Sequence, residues 1–185
     1  MAILPILTVP HPLLTQKARP VRRDEFGEAL HKRLTDMAET MYAAPGVGLA
    51  GPQVGDLRRI LVADLAEEDE DGSRERARNL YHVVNPEILE RSKELITWEE
   101  GCLSVPEFWE DFTRPRRVRV RFFDAFGEPR EEWFEGYPAV ILQHEMDHLE
   151  GVVILDKVSR LKRSRYLKKA RKTRKPDSDG AAATA

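Results

Sequence analysis

The chain of 185 residues is poor in the residues on which small secreted and membrane proteins depend. Its single cysteine, Cys102, leaves no intramolecular disulfide, which excludes a secreted domain held together by such bonds. It has no run approaching about 18 apolar residues, the length that a membrane-spanning helix needs. Its N-terminus lacks a basic start and contains Pro5 and Pro10, unlike a signal sequence. We therefore expect a soluble protein of the cytosol, or of an organelle derived from that setting, with no membrane partner.

Acidic residues are absent from residues 157–175, which contain 11 of the 30 Lys and Arg residues. The part before residue 157 has 19 basic and 30 acidic residues, and so a net charge of −11. This part, 1–156, has the length and apolar content of one compact domain. A basic extension on an acidic domain predicts a polyanionic partner. We expect a basic helix over 157–175 and, because residues 176–185 are of low complexity, a disordered tail.

Two helical patterns lie among several strand patterns, which predicts an α+β domain. The first helix should begin at Asp24, after an irregular arm at 1–23, and end near 43–46, since its apolar residues recur every three or four positions. The second should span 137–150 and be buried, because apolar residues surround most of it. Strands are expected at 60–64, 81–85, 116–124, 130–134 and 152–155, with a strand or extended turn at 87–98 and an exposed charged loop at 67–78.

The second helix contains His-Glu-Met-Asp-His at 144–148. Residues four apart share one face of a helix, so His144 and His148 can reach one cation. Glu145 stands beside the first histidine, near that cation but free to transfer protons. Two histidines and an acid are costly to bury in an apolar helix without a partner. The pattern therefore predicts a metal site, against the alternative of two hydrogen-bonded core histidines and a surface acid.

A catalytic metal site of this kind needs a third protein ligand and one open position. A histidine six residues after His148 is excluded because Ile154 stands there, and no glutamate follows residue 150. The best remaining candidate is Cys102, since a thiolate is a strong ligand for zinc or ferrous iron. A lone cysteine is more often a small core residue. Its polar surroundings, Glu-Glu-Gly-Cys-Leu-Ser at 99–104, favour the ligand interpretation.

A third segment, residues 46–55, is rich in glycine but lacks the lysine of a phosphate-binding loop. It is either a turn after the first helix or a place where the backbone approaches a ligand closely. In the second case Gln53 can donate to a carbonyl oxygen as a neutral group.

Together the three segments resemble the motifs of the peptide deformylase family. The similar stretches are Gly-Val-Gly-Leu-Ala-Gly-Pro-Gln at 46–53, Glu-Gly-Cys-Leu-Ser at 100–104 and Gln-His-Glu-Met-Asp-His-Leu-Glu-Gly at 143–151. They occur in the family's order, and the resemblance covers roughly residues 2–160. It implies a single α+β domain with antiparallel sheets packed around a central helix that carries the third motif, followed by a C-terminal helix. It also implies a cytoplasmic bacterial hydrolase that removes the formyl group from formyl-methionyl nascent chains and releases formate.

The resemblance further implies the role of individual residues by matching position. The expected metal ligands are Cys102, His144 and His148. Glu145 is expected to transfer protons, and Gln53 with the backbone N–H of Leu103 to stabilise the oxyanion. The residues expected to bind the substrate are Val47, Gly48, Gly101, Ile141 and His144.

The metal and the partners follow in part from chemistry and in part from the resemblance. One thiolate and two imidazoles suit zinc, which binds more tightly than ferrous iron. The resemblance instead implies Fe2+ as the native ion, with Zn2+ or Ni2+ as substitutes. The expected partners are N-formylmethionyl peptides and, through 157–175, ribosomal RNA, with no DNA partner. Asp147 either orients a ligand histidine or pairs with Arg114, or is an ordinary solvated acid.

Two departures from the family pattern and two alternative functions stand beside this interpretation. Gly51 replaces a small alanine and should add little beyond flexibility, whereas Trp109 replaces an arginine of some members and should change peptide affinity.

One alternative function is that of a small zinc peptidase of another class, against which the missing third histidine or glutamate counts. The other is a non-catalytic protein that binds RNA or the ribosome through 157–175.

Overall fold

The structure is a computed structural model that describes residues 2–66 and 78–173. The tail expected at 176–185 and the charged loop expected at 67–78, apart from Arg78, lie outside the described residues.

The described strands form two antiparallel sheets. The larger sheet has the order β1-β2-β3-β6-β7, with strands Gly48–Ala50, Ile60–Asp64, Leu80–Arg91, Arg117–Phe123 and Pro129–Glu135. The smaller is a hairpin of β4 (Leu95–Cys102) and β5 (Val105–Pro115). The described residues form three α-helices: α1 (Glu28–Ala43), α2 (Tyr137–Leu149) and α3 (Arg160–Thr173). The expected α+β fold with antiparallel sheets is confirmed, and no described helix has the length and apolarity to span a membrane.

Helix α2 is the centre of the domain, as its apolar circumference predicted. Leu142 and Leu149 are fully buried and pack with Val118, Val120 and Phe122 of the larger sheet in one cluster. On β6 these three apolar residues alternate with arginines that point outward, which is the pattern expected of a strand with one buried face. Each fully buried aliphatic side chain contributes about 1.5–3 kcal/mol, so the cluster holds α2 firmly against the sheet.

Helix α1 begins at Glu28, four residues later than the sequence indicated. Residues Arg23–Glu25 form a separate 3-10 turn, and Gly27 has φ of +121°, which a helix does not allow. The apolar face is nevertheless as expected, because Leu34 and Met37 are fully buried against the strands.

Two strand predictions were wrong, one at its end and the other throughout. Strand β3 does not stop at Pro86 but continues to Arg91, because an irregularity between Val84 and Glu87 accommodates the proline. Residues 152–155 do not form a strand. Instead Ile154–Asp156 is a 3-10 helix. Val153, Ile154 and Leu155 are all buried, whereas a strand with one buried face would bury only every second residue.

The C-terminal helix α3 packs on the β4–β5 hairpin. Tyr166 and Leu167 form its apolar edge and contact the cluster that contains Phe108 and Phe112. Most of its other described side chains are exposed.

Candidate metal centre

The three sequence motifs line one cavity of about 530 Å³ between β1, the hairpin and α2. Nearly all of the residues predicted for the site lie in its wall: Val47, Gly48, Gln53, Gly101, Cys102, Leu103, Ile141, His144 and Glu145. His148 lies one helical turn beyond His144 and meets Cys102. The structure thus brings together residues that are up to 101 positions apart, from Val47 to His148.

Cys102, His144 and His148 form a group that can hold one metal ion. One donor atom from each lies within 4.8 Å of the others, and Cys102 Sγ is 3.3 Å from His148 Nε2. The two imidazole rings are 5.2 Å apart and stand at 66° to each other, so both can face a common point. Because β4 ends at Cys102 and α2 presents both histidines on one face, these elements set the geometry of the group.

His144 is oriented by a buried carboxylate. Its Nδ1 lies 2.8 Å from Glu100 Oε2, and an ionised carboxylate can only accept, so Nδ1 carries the proton and Nε2 faces the cysteine. Burial lowers the pKa of His144, but hydrogen bonds with Cys102 and Glu100 outweigh burial and raise this pKa to about 10. The negative surroundings that favour a proton on His144 equally favour a metal cation in place of that proton at Nε2.

His148 is suited to coordinate as a neutral ring. Burial, followed by the charge of His144, lowers its pKa well below the usual value. The ring is 1% exposed, and its Nδ1 has no hydrogen-bond partner in the described part of the chain. Neutral imidazole is the form of histidine that binds metals.

Glu145 lies beside the group of Cys102, His144 and His148 in a nearly dry position. Burial raises its pKa to about 7, and its Oε2 is buried without a partner among residues 2–66 and 78–173. Gly48 makes room for it, since a Cβ at position 48 would lie 2.3 Å from Glu145 Oε1. A carboxyl group with a pKa near 7 can both accept and release a proton at neutral pH.

Gln53 is fixed so that its amide nitrogen faces the centre. Its Oε1 accepts from the backbone N–H of Ala50 at 2.7 Å, so Nε2 points toward Ser104 Oγ at 3.2 Å and Cys102 Sγ at 3.7 Å. Leu103 lies in the turn between β4 and β5, directly after Cys102. Both residues predicted to stabilise an oxyanion therefore border the group of Cys102, His144 and His148.

A buried arginine connects the centre to the hairpin. Arg114 binds both oxygens of Glu100, at 2.5 and 2.8 Å, and also Asp147 Oδ2 at 2.8 Å. Burial raises the pKa of Glu100, but Arg114 and then His144 outweigh burial and lower it to about 2. Of the alternatives for Asp147, the pairing with Arg114 is the one observed, and Glu100 rather than Asp147 orients His144.

The sequence did not indicate the roles of Glu100 and Ser104. An acid in a polar strand is normally solvated, yet Glu100 is 5% exposed. Strand alternation could have predicted the position of Glu100. Residues two apart in a strand point to the same side, so Glu100 lies on the same face of β4 as Cys102.

Both departures from the family pattern have structural consequences. The backbone of residues 56–58 packs directly against Gly51, where a Cβ would lie 2.5 Å from Asp56 O. Glycine at this position therefore permits close backbone packing, and the expectation of a mere gain in flexibility was wrong. Trp109 lines the cavity, and a Cβ at Gly101 would meet its ring at 2.7 Å. This exposed ring thus lies close against the glycine backbone.

Comparison with known proteins gives one consistent result. Residues 3–164 match the family model for polypeptide deformylase. The chain is 49% identical over 172 residues to the peptide deformylase of Phenylobacterium zucineum, covering 93% of this chain and 97% of that one.

Solved structures agree with this result. The peptide deformylase of Ehrlichia chaffeensis in complex with actinonin is 38% identical with a TM-score of 0.85, covering 95% of this chain and all of that one. A peptide deformylase from Acinetobacter baumannii bound to Met-Ala-Ser is 35% identical with a TM-score of 0.78, covering 85% and 99%.

Neither alternative function, the zinc peptidase of another class or the non-catalytic RNA-binding protein, finds support in these comparisons. The match extends over all three motifs and the elements that position them. This chain therefore belongs to the peptide deformylase family of metal-dependent hydrolases, which remove N-formyl groups from nascent peptides.

Proposed function

We propose that formyl-methionyl peptides are hydrolysed in the cavity around Cys102, with this residue, His144 and His148 as the metal ligands and Glu145 as the general acid and base. The observation that carries the proposal is the convergence of the three donor atoms within 4.8 Å beside a buried carboxyl group. The donor set fits a divalent ion, since His148 is neutral and His144 directs Nε2 toward the cysteine. When bound, the metal acts as a Lewis acid that makes a water molecule nucleophilic near neutral pH.

Glu145 moves the protons of the reaction. In its ionised form it accepts a proton from the attacking water, and it then delivers a proton to the nitrogen of the leaving peptide. Its pKa of about 7 leaves both forms populated at neutral pH. Its position against Gly48 keeps the carboxyl group at the cavity surface.

Gln53 and Leu103 stabilise the negative charge that develops on the formyl oxygen. Gln53 Nε2 is held in place by the bond from Ala50 to Oε1, so it needs little reorganisation during the reaction. The Leu103 N–H is supplied by the turn that follows Cys102. Each such donor contributes roughly 3 kcal/mol to stabilisation of a transition state.

The remaining cavity residues hold the substrate. We assign the methionine side chain to Val47, Ile141 and the ring of His144, and the peptide backbone to Gly48 and Gly101. Met-Ala-Ser, bound by the enzyme from Acinetobacter baumannii, is the peptide that removal of a formyl group from formyl-Met-Ala-Ser leaves. This supports formyl-methionyl peptides of nascent chains, in the bacterial cytoplasm, as the substrates here.

The role of Glu145 is tested by formate release from formyl-Met-Ala-Ser with the metal content measured in parallel. We expect Glu145→Gln to keep its metal while kcat falls by a factor of about 10²–10⁴, the usual contribution of a general acid or base. The matched control is Glu150→Gln, which changes a half-exposed acid that pairs with Lys17 and Arg59. A metal-loaded Glu145→Gln variant with parental kcat would refute the assignment.

We propose Fe2+ as the native ion, with Zn2+ and Ni2+ as substitutes. The support is the donor set of one thiolate and two imidazoles, which accepts all three ions, together with the family resemblance. Metal analysis of protein purified without oxygen should find about one iron per chain, as expected for a single site of this kind. Zinc in its place, with equal activity after iron loading, would contradict the assignment.

We also propose that the basic segment 157–175 contacts ribosomal RNA. Within the described residues, four exposed cations of this segment make no ion pair: Arg160, Arg165, Lys168 and Arg171. Phosphate contacts of this kind make binding depend steeply on salt.

Replacing these four residues by glutamine should weaken ribosome binding and flatten its salt dependence. The matched control replaces four exposed arginines outside α3: Arg22, Arg23, Arg116 and Arg121. Equal effects of the two variants would show that the segment has no special role.

A further inference from the structure

Three consecutive residues of the hairpin, 106–108, line the same cavity as the metal ligands. They lie outside the regular pairing of β4 and β5. Cys102 pairs with Val105, whereas the preceding residue, Gly101, pairs with Trp109. One step along β4 thus corresponds to four steps along β5, so Pro106, Glu107 and Phe108 form a bulge of three extra residues.

This 106–108 bulge is not a relaxed piece of strand. Glu107 has φ of +58°, in the left-handed region that costs a residue with a Cβ about 1–2 kcal/mol. Bulges also disrupt the neighbouring ladder of hydrogen bonds. The shape of this part of the cavity wall therefore depends on contacts from outside the hairpin.

Helix α3 supplies a contact to each residue of the bulge. Tyr166 Oη donates to the backbone oxygen of Pro106 at 2.9 Å. Lys169 Nζ donates to Glu107 Oε2, also at 2.9 Å. The ring of Tyr166 meets the ring of Phe108 edge to face, with 5.6 Å between the centroids. Two side chains of α3 thus hold three consecutive residues of the cavity wall.

We propose that Tyr166 and Lys169 are positioning residues for the substrate, because they hold the 106–108 bulge in the shape that contacts peptide residues after the methionine. The proposal rests on the function proposed above, in which the formyl group lies at Cys102 and the methionine side chain lies near Val47 and Ile141. The part of the wall left for later residues of the peptide is the hairpin side, which includes the bulge and Trp109.

The test compares two substrates, formyl-Met-Ala and formyl-Met-Ala-Ser, with the full-length, metal-loaded protein. In Tyr166→Ala and Lys169→Gln we expect KM to rise about two- to tenfold more for the longer peptide, as the loss of one net hydrogen bond implies. The matched control is Lys162→Gln on the same helix, since Lys162 also reaches the hairpin, at Glu110, but outside the 106–108 bulge. A charge exchange, Glu107→Lys with Lys169→Glu, should restore much of the parental KM for the longer peptide.

A general loss of folding would look different, because it would lower kcat or active enzyme equally for both peptides. Tyr166→Phe removes only the bond to Pro106 and keeps the ring contact, so it tests the proposal even if Tyr166→Ala does not fold. Unchanged KM ratios in Tyr166→Phe and Lys169→Gln, with an active parent, would overturn the positioning role alone. A metal-loaded parent that releases formate from neither peptide would instead overturn the proposed function.

Discussion

The hairpin bears two sets of ion pairs, which differ in their surroundings more than in their chemistry. In the buried set, Arg114 and Glu100 are 5% exposed and join His144 and Asp147 in one network. In the exposed set, Lys162 and Lys169 of α3 reach Glu110 and Glu107 on the surface.

A buried charge that loses its partner stays unsolvated, whereas an exposed charge returns to water. We therefore expect the buried network to set stability and metal affinity, and the surface pairs to adjust only local geometry.

The largest expected effect comes from removing the centre of the buried network. Arg114→Met leaves the buried Glu100 without its arginine partner, whereas Asp147 keeps its pair with Lys157. We expect the free energy of unfolding to fall by about 3–5 kcal/mol. Urea unfolding monitored by circular dichroism measures the change. Arg116→Met is the matched control, because Arg116 pairs with Glu94 and Glu135 at the surface. Equal losses of unfolding free energy in Arg114→Met and Arg116→Met would contradict the proposed difference between buried and exposed ion pairs.

Acid should destabilise the fold through Glu100. Its folded-state pKa of about 2 lies below the ordinary 4.5, so its carboxylate stabilises the fold above pH 4.5. This contribution, at most about 3 kcal/mol, is lost as the pH falls through about 2. In metal-free protein, Glu100→Gln should therefore lose less stability than the parent between these pH values. Parallel curves for parent and variant would contradict the assigned pKa.

The same residue should affect metal affinity without being a ligand. Glu100→Gln replaces the acceptor that orients His144, and we expect metal binding to weaken by about 10–100-fold, the usual effect of a group that orients a ligand. Competition with a coloured chelator measures the affinity. Glu110→Gln, on the neighbouring strand, should leave it unchanged, and an equal loss there would mean that total charge rather than orientation matters.

The smallest effect is expected at the surface. Lys162→Met breaks the pair with Glu110, and we expect the free energy of unfolding to change by no more than about 0.5–1 kcal/mol. Thermal unfolding at low and high salt checks this value. A loss comparable to that of Arg114→Met would show that α3 stabilises the whole domain.

The sequence predicted α1 and α2 because the apolar residues that recur every three or four positions are the ones that the folded chain buries. It also predicted the group of Cys102, His144 and His148, which the fold brings together so that it can hold a metal ion. The hairpin was harder, because β4 and β5 contain the buried charges Glu100 and Arg114 and the exposed Trp109, which is the reverse of the usual pattern. The 106–108 bulge depends on contacts more than 50 residues away in α3, and no local pattern shows such contacts.

The most direct test of the account is the X-ray absorption spectrum of the metal in protein prepared without oxygen. We predict one sulfur and two imidazole nitrogens from the protein, with the sulfur lost in Cys102→Ser and one nitrogen lost in His148→Ala. A parental spectrum without sulfur, or one that Cys102→Ser leaves unchanged, would contradict it.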